Sequence, residues 1–225
     1  QNAHSPIQGI CTEFRKTIQE HIGFPKITLC SEIQHLSKED FTIALTQEFS
    51  RTDWKQGDSK ILAWRNKTVQ QYNSTLFQHL NQRSEFKKGD YVLNNHYVSG
   101  LKADGEYQVE KCYACMDTCY KGHNIQLTGF NQHFFMPSNL KDYDKAKKKA
   151  VKEEDTARVQ EIMENWVDLR PSYACTVNKS QGSTYNKVFI DLGDLGKCKD
   201  ALQLARLLYV AISRARHTVI FTGDL

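Results

Sequence analysis

The sequence predicts an α/β fold built on a parallel sheet, carried in two segments, residues 1–85 and 171–225. Between them, over residues 86–170, it predicts an inserted antiparallel β-module with a charged helical appendage. Three observations support this. Helical stripes and short apolar runs alternate at both ends of the chain, the middle is dense in Tyr, Val and Phe broken by Gly, Asp and Asn, and a long Lys-, Glu- and Asp-rich stretch comes after it.

Taken in order, Ile7, Ile10, Phe14, Ile18 and Ile22 recur at steps of three and four and predict a helix over 5–22. A second helix is expected over 36–49, with Ser37 as its cap and Glu39 and Asp40 in its first turn. "KILAWRN", residues 60–66, reads as a strand, and "KTVQQYNSTLFQHL" continues it as a helix through Val69, Tyr72, Leu76 and Leu80. The β-module opens at Phe86. Residues 139–166 read as one charged helical stretch, whose basic run from Lys145 to Lys149 can touch a DNA phosphate or solvate a helix face, solvation being the expected role. After "LRP", "SYACTV" and "KVFIDL" are strands, "KDALQLARLLYVAISRAR" is a long helix and "HTVIFTG" a closing strand.

Composition bounds what such a chain can do. With 225 residues, 40% hydrophobic and 25% charged, it can bury a full core, which excludes disorder. A net charge of +4 permits a polyanionic partner without announcing one. Seven cysteines fit a reduced cytosolic protein better than a disulfide framework, and no leader or long apolar span directs the chain to export or a membrane. A cytoplasmic setting is the expectation.

Three polar clusters are expected at the carboxyl ends of the strands, where open parallel sheets hold ligands: "WRNKT" at 64–68, "TVNKSQGST" at 176–184 and "SRAR" at 213–216. In the second, Ser180 to Ser183 are expected to open a short helix whose free N–H groups bind anionic oxygens, with Gly182 allowing close approach. A polar turn without a ligand is the plainer alternative. No phosphate-binding G-x-x-x-x-G-K-[ST] loop is present, since Gly196-Lys197 precedes Cys198 and Asp191 stands where the upstream glycine belongs. Asp191 comes after an apolar run as a magnesium-holding aspartate would, but Leu192 replaces the expected glutamate. The chain alone is therefore expected not to hydrolyse ATP.

Cys112, Cys115, Cys119 and His123 form C-x2-C-x3-C-x3-H, a zinc-capable ligand set, but a strand and turn location favours packing, so no metal is expected. Trp64, Tyr97 and Phe134 can stack on bases or fill core, and core filling is the expected role.

"TVNKSQGSTYNKVFIDL", residues 176–192, resembles motif V of superfamily 1 DNA helicases, and "LLYVAISRARHTVIF", residues 207–221, resembles their motif VI. The likeness is nearest to the 5′→3′ branch that includes RecD and the phage helicase Dda. "ILAWRNKTVQQYN" is similar to an early segment of their second RecA-like motor domain, and "KKGDYVLNN…DGEYQV" resembles the SH3-like module inserted into it. "QNAHSPI" resembles the residues just after the arginine of motif IV, which would then lie one residue before Gln1.

The resemblance implies the second RecA-like domain of an ATP-dependent DNA helicase, of P-loop type but lacking its own P-loop. Its N-terminal RecA-like domain would hold most of the ATP and Mg2+. It implies DNA-backbone contacts from Asn66, Lys67, Thr176, Asn178 and Lys179, nucleotide contacts from Gln181, Gly182 and Thr184, and an arginine finger at Arg214 with Arg216 structural. The family usually has His where Asn178 stands, although Asn can still donate to a phosphate oxygen. Single-stranded DNA and replication or recombination proteins are the implied partners, in the cytoplasm of a prokaryotic or phage-infected cell. The alternative is a helicase-derived binding module without a catalytic role.

Overall fold

Strands buried on both faces read as continuous apolar runs, and five of them form a wholly parallel sheet in the computed structural model, which describes residues 5–225. Gln1 to His4, where the motif IV resemblance begins, lie outside the described residues. The chain forms two compact units, Gln1–Gln82 with Tyr173–Leu225, and Arg83–Ser172.

In the first unit the chain runs through α1 (Pro6–Glu20), β1 (Ile33–Leu36), α2 (Lys38–Phe49), β2 (Ser59–Ala63) and α3 (Asn66–Asn81). The second unit contributes β3 (Tyr91–Asn94), β4 (Glu106–Asp117), β5 (Tyr120–Leu127), β6 (His133–Pro137), α4 (Lys141–Lys152), α5 (Thr156–Asn165) and β7 (Leu169–Pro171). The first unit then resumes with β8 (Ala174–Thr176), β9 (Tyr185–Asp191), α6 (Leu192–Leu195), α7 (Ala201–Ile212) and β10 (Ala215–Thr222).

The parallel sheet has the order β1-β10-β9-β2-β8, and its alternating side chains feed two cores. Leu62, Val188, Ile190, Val219 and Phe221 face Phe14 of α1 and Leu208 of α7. Ile61, Phe189 and Ile220 face Phe41 and Phe49 of α2 and Leu76 of α3. The expected α/β class is present, as is the Ser37 cap, whose Oγ accepts from Asp40 N at 3.1 Å.

The second unit holds an antiparallel sheet of order β6-β5-β4-β3-β7. Asp117, in the β4–β5 hairpin, accepts from Trp166 Nε1 and Arg158 Nη2, each at 2.7 Å, and so ties α5 to the sheet. Gly122 is required where it stands, since a Cβ there would lie 2.5 Å from the Phe135 ring.

Several local expectations need correction. The strand β1 is absent from the sequence pattern, because four residues carry too little periodicity and are held by pairing Ile33 with Val219. Residues 139–166 form two helices rather than one, broken where Glu154 adopts φ 56° and Asp155 accepts from Arg158 N to cap α5. The last helix ends at Ile212, so Arg216 belongs to β10. Residues 180–183 form turns rather than a helix.

Candidate nucleotide and nucleic-acid site

At the carboxyl edge of the sheet, Ala63 of β2 lies opposite Thr176 of β8, which brings the starts of two polar segments side by side. Asn66 and Lys67, in the first turn of α3, and Asn178 and Lys179, after β8, are all exposed there. Thr176 is nearly buried, and its hydroxyl accepts from Lys179 N at 3.3 Å.

A buried carboxylate that sequence reasoning missed organises this edge. Asp194 accepts from Trp64 N and Arg65 N at 2.8 Å each, from Arg65 Nε at 2.6 Å and from Thr68 Oγ1 at 2.7 Å. Burial opposes its ionisation, but the bonds from Arg65, Thr68 and Trp64 outweigh burial and hold the carboxyl below its usual range. The available signal was Asp191-x-x-Asp194 just past an apolar strand, a cap pattern. Asp191 is itself occupied: Oδ2 accepts from Tyr72 and Oδ1 from Asp194 N.

The 176–184 segment does not stay at the carboxyl edge as expected. Ser180 N donates to Thr176 O, Gln181 N to Asn178 O and Ser183 N to Ser180 O, and Gly182 turns the chain at φ 89°. These bonds occupy the N–H groups of Ser180, Gln181 and Ser183, where the sequence predicts free ones. Because β8 and β9 are parallel, the connection must return to the opposite edge, so Ser183 and Thr184 lie at the amino end of β9. There Arg214 Nη1 donates to Ser183 O at 3.2 Å and Arg216 Nε to Thr184 Oγ1 at 3.1 Å. Arg214 also donates to Val210 O, closing the end of α7, and to Ser213 Oγ.

Charge is segregated around these residues. Arg51, Arg65, Arg83, Arg158 and Arg170 each grip a carboxylate. Arg15, Arg206, Arg214 and Arg216 enter none of the ion pairs found among the described residues, and all four belong to α1, α7 or the chain just beyond α7. Arg15 instead donates to Tyr209 OH at 3.0 Å and lies 5.6 Å from that ring. Burial pushes the Cys11 thiol up to about 11, while the charges of Arg15 and Arg214 pull against it. Asn178 and Gln181, assigned to different ligands from sequence, line one hollow of about 370 Å³ with Arg206 of α7.

The cysteine set does not converge. Cys112 and Cys115 are three apart on β4 and point to opposite faces, Cys115 packs near Trp166, and Cys119 is exposed in the turn. Burial, then the charges of Glu85 and Asp90, push the Cys112 thiol up to about 11, against the thiolate that zinc requires. Among the described residues no three His, Cys, Asp or Glu side chains are placed to hold a metal. Dialysis against EDTA is expected to leave the thermal melt unmoved; a fall in melting temperature reversed by one equivalent of zinc would overturn this. Phe134 is fully buried, Trp64 packs against the α1–α7 core and Tyr97 is exposed. No helix among the described residues is long and apolar enough to cross a membrane.

Residues 171–222 match the UvrD-like helicase C-terminal domain, and this segment is similar to that domain. Among the solved structures that align along the chain are two Pif1 helicases. A Pif1 helicase from Bacteroides, in complex with ADP-AlF3 and ssDNA, is 11% identical with a TM-score of 0.48 over 99% of this chain and 50% of that one. The Pif1 helicase from Candida albicans is 12% identical with a TM-score of 0.45 over 98% of this chain and 55% of that one. The chain thus spans about half the length of these proteins, and no curated protein matches it.

Proposed function

We propose that this chain is the C-terminal motor half of an ATP-dependent superfamily 1 DNA helicase, with the second unit as its SH3-like insertion, that translocates 5′→3′ on single-stranded DNA. The observation that carries the reading is the convergence of the two helicase-like motifs: the end of the 176–184 segment meets Arg214 and Arg216 at one edge of the sheet. At the other edge, exposed Asn66, Lys67, Asn178 and Lys179 are suited to the phosphates of a DNA strand, with Thr176 ordering their turn.

The arginines fit a nucleotide triphosphate. A planar, permanently charged fork free of carboxylates can neutralise phosphoryl oxygens, which Arg65, held by Asp194, cannot do. Asp191 accepts from Tyr72 and Asp194 N, Leu192 stands where the glutamate of a magnesium pair is expected, and among the described residues no three acidic, His or Cys side chains are placed to hold a metal ion. ATP and Mg2+ are therefore assigned mainly to an N-terminal RecA-like domain, and ATP, when bound, supplies the phosphoryl group whose transfer drives the motor. From this chain Arg214 orients towards that group, while Gln181, Gly182 and Thr184 shape the facing loop.

The test is a salt titration of binding to a fluorescein-labelled oligothymidylate. Binding should weaken as salt rises, and Lys179→Ala should reduce the slope of log affinity against log salt by about 1, evenly across sequences. Salt-independent binding, or an unchanged slope in the variant, would remove Lys179 and its neighbours from the DNA path.

A further inference from the structure

The second unit carries a groove that the helicase reading does not use. Its hollow of about 710 Å³ lies among α4, α5 and the 97–99 loop, within the size range of ligand and peptide pockets. Three large apolar side chains on it face solvent: Tyr97 is 74% exposed, Val151 59% and Met163 47%. Exposed apolar area concentrated around one hollow marks an interaction surface. Beneath it, Ala150 packs into the buried cluster around Trp166, so the floor is rigid while Met163 supplies an adaptable wall.

The charged residues lining the groove are all of one sign: Glu154, Asp155 and Glu164. Asp155 turns one oxygen to the N-terminus of α5 and Glu164 accepts from the neutral Gln160 amide, and since neither bond cancels a charge, Glu154, Asp155 and Glu164 together make the groove negative. The lysines of α4 do not line the hollow, so a positive partner meets carboxylates there. Glu154 sits at φ 56°, a costly conformation for a residue with a side chain, and forms the turn that folds α5 back beside α4 and shapes the groove.

We propose that this groove docks an amphipathic helix of a partner protein, with an apolar stripe laid against Tyr97, Val151 and Met163 and Lys or Arg flanks against Glu154 and Glu164. Helix-in-groove recognition of this kind reads anchors at i, i+3, i+4 and i+7. The proposal is independent of the motor reading, because the DNA and nucleotide residues belong to the other unit.

The probes are two fluorescein-labelled amphipathic peptides with the same leucine stripe, one flanked by lysines and the other by glutamates, titrated against the whole chain. The lysine peptide should bind at least about tenfold tighter, a difference of about 1.4 kcal/mol. Val151→Asp and Met163→Glu should each abolish its binding while leaving the melt unchanged, as both positions are exposed. The double reversal Glu154→Lys with Glu164→Lys should invert the preference towards the glutamate peptide. Failure of both peptides, equal affinity for the two, or indifference to Met163→Glu would overturn the proposal. So would Met163-dependent self-association in light scattering, which would make a second copy of the chain the occupant.

Discussion

Arg214→Ala, in a protein that joins this chain to an ATP-binding domain, is expected to lower DNA-stimulated ATP turnover by roughly 10³-fold or more. A fork of this kind acts chiefly when charge develops on the transferred phosphoryl group, so ground-state ATP affinity should change far less than turnover. In the structure the guanidinium rests on Val210 O, Ser183 O and Ser213 Oγ, all neutral acceptors. Exchanging these neutral acceptors for phosphoryl oxygens is favourable because the guanidinium fork then meets formal negative charge in a geometry that allows paired, bidentate bonds. Folding should survive, since an arginine at a helix end contributes about 0.3–1 kcal/mol. Stopped-time ATPase assays beside a thermal melt and a DNA titration measure all three. Turnover within a few-fold of the parent would leave Arg214 as a helix-end residue and move attention to Arg216, which already touches Thr184.

Asp194→Asn should produce the largest loss of stability. The side chain is 1% exposed and accepts from four donors, so an amide that turns its own N–H groups towards Trp64 N or Arg65 leaves donors facing donors. Removing one side of a fully buried charged pair costs about 3–5 kcal/mol, and because Arg65 is 43% exposed and stays hydrated the loss here should lie at the low end, about 3 kcal/mol. At about 2–4 °C per kcal/mol for a chain of this size, melting of the first unit should fall by roughly 10 °C. The pH dependence has a definite sign. Because the folded carboxyl titrates below its unfolded value of about 3.9, its stabilisation is complete above that value and is lost as pH falls further through the folded pKa. The variant should therefore lack this part of the acid-induced destabilisation below about pH 4. Urea melts at pH 7 and pH 3 would reveal it, and equal pH sensitivity of parent and variant would place the acid response in other carboxylates.

What the sequence reveals depends on how local the cause is. The α2 cap, the α1 stripe from Ile7 to Ile18 and the buried runs of β9 and β10 arise from spacing and are present, whereas Ile22, expected to extend that stripe, lies past the end of α1 and is exposed. The strand β1 and the division of 139–166 were hidden, since one depends on pairing with β10 and the other on a single left-handed residue within a helix-favouring stretch. At the site, the residue types were legible but their distribution was not. Linear proximity grouped 176–184 as one cluster, whereas parallel topology sends its two ends to opposite edges of the sheet. Asp194 escaped because its partners, Trp64 to Thr68, are some 130 residues away in the chain.

That crossing has a mechanical consequence. Thr176 lies level with Ala63, and Tyr185 starts two residues before Lys187, which pairs with Ser59, so about 20 Å of strand rise separates the two ends. The nine steps from Thr176 to Tyr185 could reach at most about 32 Å if fully drawn out, and the turns between them take up much of that length. While those turns stay closed the connection has little slack. It behaves as a short tether held by its own turns, so a shift of the chain around Asn178 and Lys179 that leaves those turns closed is passed on to the chain beside Arg214 and Arg216.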